Sequence, residues 1–436
     1  MHRTDPQTDA APLATFPCTP IQRDFWLLDQ MQPGDPTQNV AVRWEIRGPL
    51  SAASLEAAFA HVIDRHEILR TRFAEVDGLP VQQVMAAAPF KLGVVDLRTT
   101  PEAQHAPRIE EIAAEHARAA FDLSRPGLIR ATLVRQGAER AILLIVAHHA
   151  VFDGFSIRVL GEEIGQAAAA FEAGHAPDLP DLPLQYGDYA LWQRDLMAAG
   201  AWEAESRYWA DRLRDLPWWE LPPDRPRQAP RSTRVATLLR PLGEGFGDRL
   251  AAAARAQGVS PFTFGAAVAS ATLARLTGAG EVALGTSVLG RDEVDLESLL
   301  GPFIAETVLR LPVDPDAPLA THVGATRQVV EGALSHAHLP FSRLVELSGA
   351  RRDPARPLLV SGAFNLQEVF LQGRRHGGFE LVSRPSMASG IARDFNILVT
   401  GRPASGWLLT LDYAADLYAP ATAERLADSL VAAFDA

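Results

Sequence analysis

The sequence predicts a mixed α/β protein with room for two lobes. Its 436 residues are 47% hydrophobic and 22% charged, enough for a large core and long enough for two domains. Residues 141–173 hold an apolar run, a short polar break and a helical repeat in succession, which reads as a strand, a turn and a helix. Strand and helix patterns then recur in both halves without a strong internal repeat, as two similar lobes would require.

The apolar run is AILLIV, residues 141–146, and it fits a strand buried on both faces. AHHAVFDG follows at 147–154. Residues 155–173 then place Ile157, Leu160, Ile164, Ala168 and Phe171 at helical spacing, and Gly174 stops the helix. His148, His149, Asp153 and Gly154 therefore sit at the end of a buried strand and in the turn into a helix. Polar side chains there need partners, because burying them unpaired costs free energy. Adjacent side chains on an extended segment point to opposite faces, so His148 and His149 cannot serve one site. One packs, and the other can face a cavity. Asp153 reads as an ion-pair or hydrogen-bond anchor for the turn. Gly154 permits a backbone conformation or a close approach that a side chain would block.

Taken in order, residues 1–13 are expected to form a flexible leader. PCTPIQRDFW, residues 17–26, is a loop turning into a helix, with Thr19 as N-cap and Pro20 at the first helical position. Cys18 reads as a packed apolar residue. VAVRWEI at 40–46 alternates like a half-buried strand. Ser51 or Ser54 caps a helix with Leu55, Phe59, Val62 and Ile63 on one face. It runs into RHEILRTRF, residues 65–73, a cationic helix end passing into a strand, with a turn at Asp77-Gly78. Residues 128–135 form a strand that pairs with the 141–146 strand, and the proline-rich stretch 175–184 is a connection. The aromatics of YGDYALW, 186–192, read as packing. LPPDRP at 221–226 is a proline-stiffened crossing, and the lobe linkage is expected in this region. The lobes are assigned as 14–184, with the histidine motif, and 185–436.

The second half begins again with a strand at 234–239. Ser260-Pro261 opens a long apolar helix to about residue 276. A strand at 282–289 ends at Gly290-Arg291. Further strands are expected at 359–366, 395–400 and 407–413, with a closing helix over 420–434.

Composition removes several functions. Lys+Arg 41 against Asp+Glu 53 gives a net charge of −12, and an acidic chain without basic runs argues against nucleic-acid binding. One cysteine, Cys18, forbids an intrachain disulfide and points to a cytosolic setting. MHRTDPQTDAAPLATF has no apolar signal core, and no stretch is long and apolar enough to span a membrane. No Walker loop, CxxC pair, HExxH or GxSxG occurs. The activation chemistry those motifs carry is therefore missing.

The HHxxxDG pattern resembles the active-site signature of the condensation domains of nonribosomal peptide synthetases, within the chloramphenicol-acetyltransferase-like superfamily. Residues 17–26 resemble the first core motif of these domains, with Cys18 where leucine is more usual. RHEILRTRF matches the second, RHExLRTxF, and YGDYALW resembles the fourth, YxDYAxW. Gly301-Pro302-Phe303-Ile304 with Thr307 and Arg310 resembles the fifth, GxFVNTxxxR, with Ala305-Glu306 in place of the usual Val/Asn pair. HLPF at 338–341 resembles the sixth without its acidic and aromatic residues, and 352–358 resembles the seventh. The likeness is strict in the first half and looser in the second.

That resemblance implies two chloramphenicol-acetyltransferase-like lobes in a V-shaped pseudodimer with an active-site tunnel between them. It implies amide (peptide) bond formation between a carrier-bound acyl or aminoacyl thioester and an amine acceptor. His149 would be catalytic, with His148, Asp153, Gly154, Arg291, Arg65 and Arg70 in support. In the family an arginine after this strand pairs with the motif aspartate across the lobes, and Arg291 matches that position. Arg65 and Arg70 are expected in structural ion pairs near the site. No metal and no intrinsic cofactor are implied. Substrates would come on the phosphopantetheine of donor and acceptor carrier proteins, beside neighbouring synthetase domains. A cytoplasmic monomer, with no nucleic-acid or membrane partner, is expected.

The subtype stays open. Met1 close before the first motif suits a starter domain taking a fatty or aryl donor. It equally suits a first module fed by another protein, or a free-standing amide or ester synthase. An epimerisation domain would carry an EGHGR-like segment, which is missing, and a heterocyclisation domain would replace both histidines with aspartates. A plant-type acyltransferase needs DFGWG, and the nearest string is Asp394-Phe395-Asn396-Ile397. A catalytically silent recruitment domain of the same fold usually loses the second histidine, which is intact here.

Overall fold

The computed structural model describes residues 11–368, 373–386, 388–402 and 406–436, so residues 1–10 of the expected leader lie outside it. Leu13, the leader's last residue, already donates its N–H to the Val84 carbonyl at 2.8 Å. In chain order come β1 (Ala14–Pro17), α1 (Pro20–Met31), β2 (Asn39–Arg47), α2 (Ala52–Arg65), β3 (Thr71–Val76), β4 (Leu79–Val84) and β5 (Gly93–Asp96). Then follow α3 (His105–Arg118), β6 (Ile129–Arg135), β7 (Arg140–His148), α4 (Ser156–Glu172), α5 (Tyr186–Ala198) and α6 (Glu203–Arg212). The next are β8 (Val235–Leu242), α7 (Phe246–Ala256), α8 (Pro261–Thr277), β9 (Glu281–Val288), β10 (Ala305–Pro312), α9 (Leu319–Ser335) and α10 (Phe341–Ser348). The chain closes with β11 (Gly362–Glu368), β12 (Arg374–His376), β13 (Phe379–Arg384), β14 (Phe395–Arg402), β15 (Gly406–Ala414) and α11 (Pro420–Asp435).

Local chemistry sets the boundaries that matter for the site. Thr19 caps α1 in a reciprocal box with Gln22, and Ser51 caps α2 through the Ser54 amide. Asp77 at φ 51° and Gly78 at φ 76° make the tight turn between β3 and β4. Gly174, at φ 79°, lies just past the end of α4.

The described residues fall into two compact units. The first takes those within Met1–Ala201, Arg291–Phe303 and Phe370–Ser389; the second takes those within Trp202–Gly290, Ile304–Val369 and Gly390–Ala436. The first unit holds a six-stranded sheet in the order β12-β13-β2-β7-β6-β5, with a separate three-stranded sheet β1-β4-β3. β7 runs antiparallel to both β2 and β6. Ala141, Leu143, Ile145 and Ala147 join the main core, while Ile142 and Leu144 pack with Ile109 and Ile112 of α3. Burial on both faces is why the run reads as continuous rather than alternating. The second unit holds a six-stranded sheet in the order β10-β9-β11-β14-β15-β8 around its own core.

These units do not follow the 184/185 division. α5 stays with the first unit because Tyr186 and Tyr189 are buried in that unit's core. Leu296, Leu299, Leu300 and Phe303 bury there too, which brings residues 291–303 back to it. β13 returns as well, pairing along β2 from Glu380↔Arg47 to Arg384↔Arg43.

Candidate active site

His148 is the last residue of β7 and pairs in register with Asn39 of β2. Its ring is buried and meets Phe121 edge-on at 6.2 Å. The Ala150 amide donates to its Nδ1 at 3.1 Å, so the neutral ring carries its proton on Nε2. Burial, helped by the neighbouring His149, pulls the pKa of His148 down to about 3. An ordinary histidine titrates near 6.5.

That depression links stability to acid. Between about pH 3 and about pH 6.5 the unfolded chain binds a proton at His148 that the folded chain does not. The stabilisation is fully present above the upper value and is lost as pH falls towards the lower one. His148→Asn keeps an oxygen acceptor for the Ala150 amide and removes the titration. Its melting temperature should fall less than that of the wild type between about pH 7 and about pH 4. Equal slopes in a pH series of melting curves would place the acid sensitivity elsewhere.

His149 follows at the strand's end, with its backbone amide on the Gln38 carbonyl at 2.8 Å. Its ring is half-buried and stacks on Phe25 of α1 at 5.0 Å, the planes 19° apart. The two histidines thus meet different elements, as strand alternation requires.

Asp153 is almost wholly buried and is used by the backbone around it. Its Oδ1 accepts the Ser156 amide at 2.8 Å and the Ser156 hydroxyl at 2.7 Å. Its Oδ2 accepts the Phe303 amide at 3.0 Å. Arg291 Nη2 reaches Oδ1 at 3.2 Å, and the two side chains are each only 2% exposed. The other end of the guanidinium donates from Nη1 to the carbonyls of Leu296 at 2.6 Å and Leu299 at 2.9 Å. Its carbon lies 4.0 Å from the centre of the Phe303 ring. Burial lowers the pKa of Arg291, and the Asp153 carboxylate opposes that shift. The expected partner is therefore correct and its location is not: both residues belong to one unit, because the 291–303 segment packs back into the first core.

Ser156 is the residue that sequence reasoning missed. It is fully buried, and its hydroxyl also accepts the Gly301 amide at 3.2 Å. The signal was available, since a serine three residues after an aspartate at a helix start forms this bond routinely. Gly154 carries part of the same turn, its carbonyl accepting the Ile157 amide at 3.2 Å.

Gly301 closes the knot from the other side. Its φ is +144°, and a Cβ there would stand 2.2 Å from the Tyr186 ring. That ring cannot give way easily. Its hydroxyl donates to the Pro302 carbonyl at 2.8 Å and lies 3.1 Å from the Thr19 hydroxyl. Gly301→Ala should cost about 1–3 kcal/mol through overpacking. A lower denaturation midpoint at unchanged slope is the expected result, and an unchanged midpoint would show that the ring yields.

Arg65 and Arg70 stand apart from the turn. Arg65 Nε pairs with Glu163 of α4 at 3.2 Å and its Nη2 caps the Pro180 carbonyl; His66 Nε2 takes the other Glu163 oxygen at 2.7 Å. Arg70 donates to the Met85 carbonyl at 2.7 Å and pairs with Glu67 at 3.4 Å. Both hold the α2 exit in place. Cys18 is buried, which pushes its thiol up to about 12, so it is a packing group as expected. Among the described residues no group of three or more His, Cys, Asp or Glu could hold a metal ion, and no helix is long and apolar enough to cross a membrane.

The family model described as Condensation domain matches residues 13–436. Phosphinothricin tripeptide synthetase PhsB of Streptomyces viridochromogenes is 35% identical over 428 residues, covering 97% of this chain and 36% of that protein. The chain therefore spans about a third of that relative's length. The X-domain from teicoplanin biosynthesis superposes with a TM-score of 0.84 at 26% identity, over 98% of this chain and 96% of that one. The first condensation domain of the calcium-dependent antibiotic synthetase gives 0.85 at 23% identity, over 97% and 96%, a likeness of fold.

Proposed function

The chain belongs to the condensation-domain family of nonribosomal peptide synthetases, with its chloramphenicol-acetyltransferase-like fold, and on that premise we propose that it forms amide bonds. The donor is an acyl or aminoacyl thioester on the phosphopantetheine of a carrier protein. The acceptor is an amine, presented by a second carrier or free. The nitrogen attacks the thioester carbonyl, the carbon–nitrogen bond forms, and a tetrahedral oxyanion results. Its collapse breaks the carbon–sulfur bond and releases the carrier thiol. One proton must leave the nitrogen and one must reach the sulfur.

One observation carries the reading. Of the three motif side chains, His148 and Asp153 are committed to the turn, while the half-buried His149 ring stands at its edge. An imidazole can both take up and give back a proton, which suits both proton steps. His149 is assigned to them, Asp153, Arg291 and His148 to the scaffold, and the Gly154 amide to the oxyanion. Carrier proteins and neighbouring synthetase domains are the assigned partners.

The test is a mass-spectrometric condensation assay with aminoacyl-loaded and fatty-acyl-loaded donor carriers against aminoacyl-loaded and free amines. An amide product that vanishes with His149→Ala supports the proposal. A fatty-acyl preference would mark a starter domain. Carrier binding without product from any pair would overturn the catalytic reading in favour of recruitment.

A further inference from the structure

We propose that Phe25 is a positioning residue that fixes the imidazole plane of His149; this rests on the catalytic reading of His149. The torsion that turns an imidazole about its Cβ–Cγ bond has broad minima, so the ring's own geometry does not set its plane. The ring of His148 is set by the Ala150 amide at its Nδ1. The ring of His149 lies face to face with Phe25, at 5.0 Å and 19°. A flat face held that close permits the coplanar orientation and opposes the crossed one, in which the imidazole edge would run into the benzene carbons.

The stack is useful only if Phe25 is itself held, and α1 provides that. Gln22 lies three residues earlier on the same helical face and is fully buried. Its Nε2 donates to the Ala150 carbonyl at 3.3 Å, the residue immediately after His149. Its Oε1 accepts the Thr19 amide at 3.0 Å, and the Thr19 hydroxyl is tied in turn to Tyr186. One turn of α1 therefore grips the backbone beside His149 with Gln22 and the ring with Phe25. The first-motif segment then acts on the histidine motif through these two contacts.

The test compares Phe25→Leu and Phe25→Tyr in the carrier assay, using the donor and acceptor pair that gives wild-type turnover. Leucine keeps the apolar volume and removes the flat face; tyrosine keeps the face. Small misplacements of a catalytic group can cost about 100-fold, so Phe25→Leu should lose roughly tenfold in kcat. Both KM values should stay within about twofold and the melting temperature unchanged, because bulk packing is retained. Phe25→Tyr should recover kcat to within about threefold. A crystal structure of Phe25→Leu should show the His149 ring turned or in two orientations. Wild-type kcat in Phe25→Leu, or an equal loss in Phe25→Tyr, would overturn the proposal. A parallel His149→Ala sample keeps the two readings apart: full turnover there would remove the catalytic reading itself, whatever Phe25 does.

Discussion

His149→Ala should keep the wild-type melting temperature and lose about 10²–10⁴-fold in kcat. The two halves of that result have separate causes. The ring is half-buried at the end of β7, and its stacking neighbour Phe25 is itself only partly buried. Removing it therefore strands no buried charge and opens no large internal cavity. The loss in rate is what a general base or acid contributes when proton transfer accompanies attack and departure. A thioester is already reactive, so proximity of the two substrates survives the substitution and supplies a residual rate. A loss of only a few-fold would reduce His149 to an orienting group. Unchanged turnover would withdraw the assignment.

Asp153→Ala should fail in the opposite way, by lowering stability by about 3–5 kcal/mol. The substitution leaves the Arg291 guanidinium in a site where it is 2% exposed, without its counter-charge. It also removes the acceptor for the Ser156 amide, the Ser156 hydroxyl and the Phe303 amide, so with Arg291 four donors lose their partner together. A typical domain has only about 5–15 kcal/mol in hand, so low soluble yield and a depressed melting temperature are expected. Asp153→Asn keeps one oxygen, an acceptor for one of the two amides, and loses the charge, and its midpoint should lie between those of wild type and alanine. Chemical denaturation of the three proteins measures the order. An Asp153→Ala protein of wild-type stability without turnover would give the carboxylate a chemical role instead.

The contrast shows what could be read from the chain. The β7 strand, the turn and α4 were legible because burial on both faces leaves a continuous apolar run and a helix leaves a 3.6-residue repeat. The separation of the two histidines followed from strand alternation alone. The Asp153–Arg291 pair was reached only through the family likeness, since nothing local in either segment names the other. Its placement within one unit was not legible. Residues 291–303 return to the first core through Leu296, Leu299, Leu300 and Phe303, a choice made by tertiary packing. Three-residue β12, flanked by glycines, has too little pattern to announce a strand. Nothing near Phe25 in the sequence points to its stack with His149, a ring more than a hundred residues away.

β13 has a consequence for how the protein is made. Arg384 of β13 and its ion-pair partner Glu45 of β2 are separated by 339 residues. A ribosome adding about 5–20 residues per second needs on the order of twenty seconds to a minute to cross that distance. Through that interval β2 waits with one hydrogen-bonding edge unfilled, an invitation to pair with another nascent chain. Its sequence discourages such pairing, since Arg43, Glu45 and Arg47 alternate with the buried Val42, Trp44 and Ile46. β8 waits in the same manner for β15, which is translated later still. The first six-stranded sheet cannot close before β13 has emerged, nor the second before β15, so polysome-bound chains should depend on chaperone holding until β15 is out.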